Sequence, residues 1–375
     1  MVAVTLLGHA MSGRQLLIIG VVVVGIALIG ILLWQRRTQM ARAIGAGMVW
    51  VRAVRRHVGE QRLHLFGQIA LAAWFIWLSY QRVARLLKDG VPLGQDIQIY
   101  YRAVQEWLAG GDPWSASVAV NPHAIFHYAG SPATTVLLAP SALFSEGQFT
   151  ALWLVLSAMS AVAIVRWLKL PIWWLLFPPT VEALYSGNPQ LVVLMLLLAG
   201  AGRSGVAADT IAVTLKVYAI VPLLAERRPR RIVYALGLTL ATVVVAPWLW
   251  TEYLTQFGAI SARLERESAG GFSAFYHPVL LVPTAIAIIL LWRRDRKAAG
   301  WLAVPALWPS SEFHYSTFAQ PVMTPILAVL LSVYAQQGLV PVAIMLDVFW
   351  RFAAEPVRTR LAAWAAAASP ETSGS

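Results

Sequence analysis

The sequence predicts an all-α protein, a polytopic bundle of about ten to twelve transmembrane helices. Of its 375 residues, 59% are apolar and only 12% are charged, and the mean hydropathy is +0.66. A soluble domain carries roughly twice that share of charged residues. Long uncharged runs recur along the chain, and about 20 apolar residues are enough for one helical crossing of a bilayer. These observations indicate a multi-pass protein of the plasma membrane.

The uncharged runs are the candidate crossings, and two of them are long enough for more than one helix. They span residues 15–35, 63–81, 113–145, 147–165, 183–202, 232–251, 268–292 and 313–346. The first run ends in Trp34-Gln35-Arg36-Arg37 without a small-residue cleavage site, which favours a retained anchor over a signal peptide.

Three parts of the chain follow from this pattern. Residues 1–62 are predicted to be an anchor helix with a basic cytoplasmic segment, residues 63–354 the bundle, and residues 355–375 a tail. The basic segment fits two structures equally: an amphipathic helix on the membrane surface and a solvated linker.

Basic residues indicate the orientation of the chain. There are 29 lysines and arginines against 17 acidic residues, a net charge of +12. They cluster beside apolar segments, as in cytoplasmic loops and contacts with anionic membrane lipids, so nucleic acid is not an expected partner. The positive-inside rule puts residues 227–231 and 293–297 in the cytoplasm. Counting crossings then puts Asp96, residues 251–276 and His314 outside.

The middle of the chain allows two topologies. Five crossings are predicted between Asp96 and the cytoplasmic residues 227–231, and they span residues 132–145, 147–165, 171–185, 189–202 and 206–225. Pro178-Pro179 interrupts the third, and a re-entrant hairpin there is the alternative. Broken helices occur in membranes only where they are buried in protein or line a watery cavity.

The first external loop, residues 82–131, is predicted to be a folded structure on the membrane surface. A helix is expected over residues 97–108, ended by Gly110-Gly111-Asp112-Pro113. Asp96 directly precedes this helix and is a suitable N-cap. Capping does not explain the Tyr, Trp and His content of the loop, so Asp96 is also a candidate functional acid.

Three motifs give the chain a resemblance to a known family. They are Asp96-x3-Tyr100-x2-Ala103-x4-Leu108-x-Gly110-x-Asp112-Pro113-Trp114, then Gly187-Asn188 with Lys216-Val217-Tyr218 and Pro222, and finally Glu312-Phe313-His314-Tyr315. In this order they resemble polyprenyl-phosphate-sugar-dependent glycosyltransferases of the GT-C class, in particular actinobacterial mannosyltransferases and arabinofuranosyltransferases. The resemblance covers residues 63–350. Pro189 directly after Asn188 and the distance from Lys216 to Pro222 depart from the usual pattern, and the N-terminal helix is outside it.

The resemblance implies a GT-C-like bundle and an inverting transfer of mannose or arabinofuranose outside the membrane. The donor would be a polyprenyl-phosphate sugar and the acceptor a lipid-linked glycan. Because the lipid phosphate is a good leaving group, the reaction mainly needs a general base, the role expected of Asp96. Candidate ligands of the donor phosphate are His314, Lys216, Arg102 and Arg82. Candidate substrate-loop residues are Tyr100, Tyr101, Asp112, Trp114, His127, Tyr128 and Asn188.

Two of these residues have alternative roles. Asp209 and Lys216 lie seven residues apart on one predicted helix, so Lys216 either binds the donor phosphate or forms an ion pair with Asp209. His314 contacts either the donor or Glu312 and the backbone. Arg263 and Arg266 are expected in a solvated charged loop.

No metal and no cofactor are expected. The seven histidines lack ligand spacing, and the first loop has no Asp-x-Asp pair. The chain has no cysteine, which excludes disulfides and iron–sulfur clusters.

Two other functions stay open at this point. A transporter or a lipid or glycolipid flippase would use membrane-buried charges on broken helices, for which Asp209, Lys216 and Pro178-Pro179 are candidates. A catalytically inactive homologue acting as an assembly partner is the third hypothesis.

Overall fold

The computed structural model describes residues 4–6, 9–11, 60–121, 124–202, 205–267, 271–335 and 338–352. It divides the chain into two compact units, Met1–Ala73 and Trp74–Ser375. In the first unit, strand β1 (Val4–Leu6) pairs antiparallel with β2 (His9–Met11), and helix α1 begins. The predicted anchor helix, nearly all of the basic segment and the C-terminal tail lie outside the described residues.

The second unit is mostly helical. Its helices are α1 (Glu60–Lys88, which starts in the first unit), α2 (Gln95–Leu108), α3 (Pro132–Leu137), α4 (Glu146–Trp167), α5 (Pro178–Ser186), α6 (Gln190–Ala199), α7 (Val206–Leu215), α8 (Ile220–Ala225), α9 (Pro229–Val245), α10 (Pro247–Glu267), α11 (Pro278–Arg294), α12 (Arg296–Leu307), α13 (Pro325–Leu330) and α14 (residues 339–352). Short 3₁₀ helices connect several of them, and the longest is Phe313–Val322. The predominance of helix agrees with the predicted all-α class.

The described residues contain fewer membrane-spanning helices than the sequence predicts. One helix, α4, is long and apolar enough to cross a membrane. Two bent pairs raise the number to three if each pair is one span: α5 with α6, at 113°, and α9 with α10, at 103°. Membrane association is therefore supported, and the count of ten to twelve crossings is not confirmed.

Several predicted boundaries are wrong. Helix α1 runs on to Lys88, so Arg82 lies on a helix and not in the external loop. Its residues 81–88 are mostly good helix formers, and the first glycine after them is Gly90. Residues 251–267, predicted as loop, belong to α10. The run 132–145 is broken into α3 and the 3₁₀ helix Ala139–Leu143.

The first loop is folded as expected, but it contains a β-hairpin that was not predicted. Strand β3 (Ser117–Asn121) pairs antiparallel with β4 (Ala124–His127), with Val118 opposite Phe126. The alternation of valine with small or polar residues in Ser117–Asn121 is the signal that could have indicated the first strand, and Ala124–His127 has no such alternation. Strand β3 packs against α2, whereas β4 packs against α10.

Helix α2 is amphipathic, and its apolar face positions the polar residues at its start. Ile97, Tyr100, Ala103 and Val104 are buried at the three- and four-residue spacings of one helix face. This face packs against α3, α4 and α5. Asp96, in the first turn, is thereby held close to the break between α5 and α6.

Candidate functional site

A cavity of about 390 Å³ lies between the start of α2, the break between α5 and α6, and the start of the 3₁₀ helix Phe313–Val322. Residues from all three family-like motifs line it. Its polar and charged lining residues are Arg82, Asp89, Gln95, Asp96, His127, Glu182, Ser186, Asn188, Lys216, Glu267, Ser310, Glu312 and His314. The aromatic lining residues are Tyr100, Phe126, Tyr128, Tyr185, Phe272, Tyr315 and Tyr334.

Asp96 is not the N-cap of α2, and the prediction that it caps this helix is wrong. The helix begins at Gln95 and its N-cap is Gly94, which makes no side-chain cap. The Asp96 carboxylate instead accepts a hydrogen bond of 2.7 Å at Oδ2 from the side-chain amide of Asn188. In the described part of the chain, no group donates a hydrogen bond to Asp96 Oδ1.

Two glycines explain why Asp96 and Asn188 come so close. Gly94 has a φ of 78° and Gly187 a φ of 68°, a left-handed conformation that suits glycine. A Cβ added to Gly187 would lie 3.3 Å from the Cα of Gly94. The Gly94 N–H also donates to the Tyr185 carbonyl oxygen. The glycine before Asn188 is therefore required by the contact between the two motifs.

Asn188 is itself held by a chain of hydrogen bonds. Its Oδ1 accepts from the Gln190 backbone N–H at 3.1 Å. The Gln190 side-chain oxygen accepts from the Tyr218 hydroxyl, and Tyr218 directly follows the Lys216-Val217 pair. Because Asn188, Gln190 and Tyr218 are all buried, the amide that faces Asp96 has a fixed orientation.

Lys216 does not pair with Asp209, so the ion-pair alternative for Lys216 is wrong. Helix α7 ends at Leu215, and Lys216 has an extended backbone (φ −148°, ψ 109°), so the two residues do not share a helix face. Asp209 binds Arg228 and Arg231 instead. Lys216 turns to the cavity, with its ammonium 5.3 Å from the centre of the Tyr100 ring. Within the described ranges, no carboxylate lies at ion-pair distance from it.

A row of charged side chains forms another wall. Arg82 forms an ion pair with Glu182 and stacks 3.7 Å above the Tyr334 ring. His314 Nδ1 lies 3.9 Å from a Glu182 oxygen and 3.8 Å from a Glu312 oxygen. His314 is almost fully buried, whereas the Glu312 side chain remains 46% accessible. The row thus runs from Arg82 through two buried side chains to an accessible carboxyl.

The pKa values in this row are shifted by burial and by neighbouring charges. Partial burial raises the pKa of Glu312 to about 7, although almost half of its side-chain surface stays accessible; the charge of His314 opposes that shift, and Asp96 and Glu182 add to it. Burial lowers the pKa of His314, but the carboxylates of Glu182 and Glu312 outweigh burial, so this pKa is raised. The shift favours the protonated form of His314, and Glu312 is balanced between its two forms near neutral pH.

Four predicted site residues lie outside the cavity lining. Arg102 binds the Glu146 carboxylate at 2.9 Å and the Ser117 carbonyl oxygen, so its charge is used within the loop. Tyr101 donates to the Phe144 carbonyl. Asp112 caps the 3₁₀ helix Pro113–Ser115. Trp114 is fully buried and donates to the Gly130 carbonyl.

The other eight predicted site residues line the cavity: Asp96, His314, Lys216, Arg82, Tyr100, His127, Tyr128 and Asn188. His127 makes two contacts with the Glu267 carboxylate, at its backbone N–H (3.0 Å) and at Nδ1 (2.6 Å). Arg263, expected in a solvated loop, is on α10 and donates to the Trp114 carbonyl at 2.6 Å. The pairs His127–Glu267 and Arg263–Trp114 thus join the end of α10 to the first loop.

Glu182 and Glu312 were not predicted as site residues. Glu182 is the one acid in the apolar stretch 171–202, and an acid there is itself a signal of function. Glu312 belongs to the third motif, two residues before His314, but no spacing rule marks it as a neighbour of Asp96. Only the fold brings its charge close to those of Asp96 and Lys216.

The described residues contain no group of three His, Asp or Glu side chains arranged to hold a metal ion. No family model, curated protein or solved structure matches the chain. The cavity and its side chains are therefore the basis on which a function is inferred.

Proposed function

We propose that this protein is an inverting membrane glycosyltransferase. It transfers mannose or arabinofuranose from a polyprenyl-phosphate donor to a lipid-linked glycan on the external face of the membrane. The observation that carries this proposal is the content of the cavity: Asp96, whose Oδ1 accepts no hydrogen bond from the described residues, lines the same cavity as Lys216, which has no ion-pair partner among them.

Asp96 is proposed as the general base. It takes the proton of the acceptor hydroxyl while that oxygen attacks the anomeric carbon from the side opposite the phosphate. The Asn188 amide occupies Oδ2 and orients the carboxylate, so Oδ1 is the oxygen that receives the proton. General-base catalysis of this kind contributes about 10²–10⁴-fold to the rate.

Lys216 is proposed to bind the donor phosphate. The Lys216 ammonium lies 5.3 Å from the centre of the Tyr100 ring, and Tyr100 follows Asp96 by one turn of α2, so the proposed base and cation both lie beside this part of the helix. The sugar ring is proposed to bind between a phosphate on Lys216 and a hydroxyl on Asp96. Arg82, also predicted as a phosphate ligand, is neutralised by Glu182 and is proposed to act only by holding that acid.

The remaining cavity lining suits a lipid-linked sugar. A volume of about 390 Å³ lies in the range of small-ligand sites, and the wall combines polar groups with apolar side chains. Leu86, Phe126, Leu264 and Phe272 belong to the apolar part. We propose that these side chains contact the first prenyl unit, while the polar groups contact the sugar and phosphate.

We also propose that the site faces the outside of the membrane. Asp96 and His314 face one cavity, as the external assignment of both requires, and the arginine-rich residues 227–231 bind Asp209 away from it. The chain has no cysteine, so single cysteines at the exposed positions Ala109 and Arg230 can be labelled with an impermeant maleimide in intact cells. Labelling is expected at 109 only, and labelling of both from one side would contradict the topology.

The function is tested by incubating membranes that contain the protein with radiolabelled polyprenyl-phosphate mannose and, separately, arabinofuranose. A labelled, elongated glycolipid that depends on one of the two donors is the expected product. Membranes that lack the protein are the control. No transfer from either donor, with folded protein present, would contradict the proposal.

A transporter is the second candidate, because the break between α5 and α6 lines the cavity with Glu182 and Asn188. Transporters bind substrates at such breaks. Its membrane-buried charge pair, however, is not formed, since Lys216 and Asp209 are apart. Movement of labelled donor across vesicles without a new glycosidic bond would favour this candidate.

A further inference from the structure

Of the cavity carboxyls Asp96, Glu182 and Glu312, only Glu312 lacks a close partner among the described residues. Glu182 forms an ion pair with Arg82, and Asp96 accepts a hydrogen bond from Asn188. Among the described residues, only His314 lies at ion-pair distance from Glu312, at 3.8 Å, and none of them donates a hydrogen bond to it. It is also the most accessible member of the row that starts at Arg82.

The charges that face the cavity centre balance when every carboxyl is ionised. Asp96, Glu182 and Glu312 carry three negative charges, and Arg82, Lys216 and a protonated His314 carry three positive ones. The remaining charged lining groups are Glu267, which is paired with His127, and Asp89, which is exposed. The tyrosines near Glu312 are Tyr100, Tyr218 and Tyr315, and burial raises the pKa of Tyr100 and Tyr315, so both stay neutral.

A bound phosphodiester would upset this balance by one negative charge. Excess charge in an enclosed site is costly, and the group that yields most easily is the one with the weakest contacts. We propose that Glu312 is the counter-ion of the empty donor site, and that it takes up one proton from water when the donor phosphate binds beside Lys216 and His314. This inference rests on the proposed function.

The physical consequences are specific. Burial raises the pKa of Glu312 to about 7, so above neutral pH the empty site holds a carboxylate that must be protonated before the anion is accepted. Donor affinity should then fall by about tenfold for each pH unit above that value. The neutral carboxyl also donates a hydrogen bond, which it can direct at the phosphate oxygen that gains charge as the sugar leaves. After the lipid phosphate departs, the proton returns to water.

Isothermal titration calorimetry with mannosyl farnesyl phosphodiester measures this proton uptake in the full-length protein without acceptor. The probe keeps one negative charge throughout the neutral range, so any proton taken up belongs to the protein. Titrations at about pH 8 in two buffers with different ionisation enthalpies give the number of protons. We expect nearly one for the wild type, none for Glu312→Gln, and nearly one for Glu312→Asp and for the control Asp112→Asn, which lies outside the cavity.

The variants also distinguish a failure of the role of Glu312 from a failure of the proposed function. Glu312→Gln should bind the probe with an affinity that does not fall from pH 7 to about pH 8, because its amide is always neutral. Binding by the wild type without proton uptake, or unchanged uptake by Glu312→Gln, would overturn the role of Glu312 alone. Failure of both proteins to bind the phosphodiester at any pH would overturn the proposed function with it.

Discussion

The cavity around Asp96 and the ionic cluster around Asp209 both hold carboxylates near basic side chains, but their members are satisfied to different degrees. In the cluster, Arg228 and Arg231 both bind Asp209, and Arg228 also binds Glu226. In the cavity, Lys216 has no ion-pair partner and one oxygen of Asp96 accepts no hydrogen bond, within the described residues. Saturated contacts hold helices together, whereas unsatisfied groups around a cavity are available to a ligand.

The same comparison explains the error made about Lys216. Seven residues of continuous helix would have put Lys216 and Asp209 on one face. The helix ends at Leu215, and the chain turns before the 3₁₀ helix Val217–Ala219. That break sends the lysine to the cavity and leaves the aspartate with the arginines.

The largest effect on stability is expected from Asp209→Ala. It leaves two largely buried arginines without their shared carboxylate, and removing one member of a buried ion network costs about 3–5 kcal/mol. Thermal unfolding in detergent should show a much lower Tm. The control is Asp89→Asn at the exposed cavity rim, which should unfold like the wild type. A normal Tm for Asp209→Ala would contradict the structural role of the cluster.

Lys216→Met should weaken donor binding and leave the stability of the fold unchanged. A hydrogen bond to a charged group is worth about 1.5–3 kcal/mol, so the KM for the donor should rise about 10–100-fold, with a smaller change in kcat. The control is Lys88→Met, at the exposed end of α1. Loss of folded protein without a change in donor dependence would favour a structural role for Lys216.

Asn188→Ala should have a smaller effect, directed at kcat. The Asn188 amide orients the Asp96 carboxylate, and its loss should lower kcat by about tenfold. The donor KM should stay near that of the wild type, since Lys216 is unchanged. An equal rise in KM with no change in kcat would instead make Asn188 a donor ligand.

Gly187→Ala tests the close approach of the two motifs and should have the smallest effect. A left-handed residue with a Cβ costs about 1–2 kcal/mol, and the Cβ would press on Ile97 and Gly94. Gly147→Ala is the matched control, because a Cβ there meets no atom within 4 Å. The difference in Tm between the two variants measures the strain, and equal Tm values would show that the approach is not required.

Much of the first loop could be predicted from the sequence. The apolar spacing of Ile97, Tyr100 and Val104 predicts helix α2 to within two residues of its start, and Gly110 with Pro113 predicts its end. These are local signals. The order of the three motifs also predicted that Asp96, Asn188 and His314 belong together, and all three line the cavity.

The rest depended on contacts between distant parts of the chain. Helix α2 starts at Gln95, two residues before the predicted start. Gly94, directly before it, donates a hydrogen bond to the carbonyl of Tyr185, 91 residues further along the chain, and no local rule contains such a contact. Arg102 was expected at the donor phosphate, but in the fold its guanidinium binds the Glu146 carboxylate. Within the described residues, proline and short loops divide several apolar runs into elements shorter than a membrane span, so the predicted number of crossings is not confirmed.

Asp96→Asn gives the most direct test of the central claim, that the cavity is a glycosyl-transfer site with Asp96 as its base. The change keeps the shape of the side chain and removes its ability to accept the acceptor proton. Transfer of labelled sugar and binding of the donor are measured on the same preparation, with Asp112→Asn, outside the cavity, as the matched control. We expect the rate of transfer to fall by about 10²–10⁴-fold, with normal donor binding and a normal Tm. Full transfer by Asp96→Asn would contradict it.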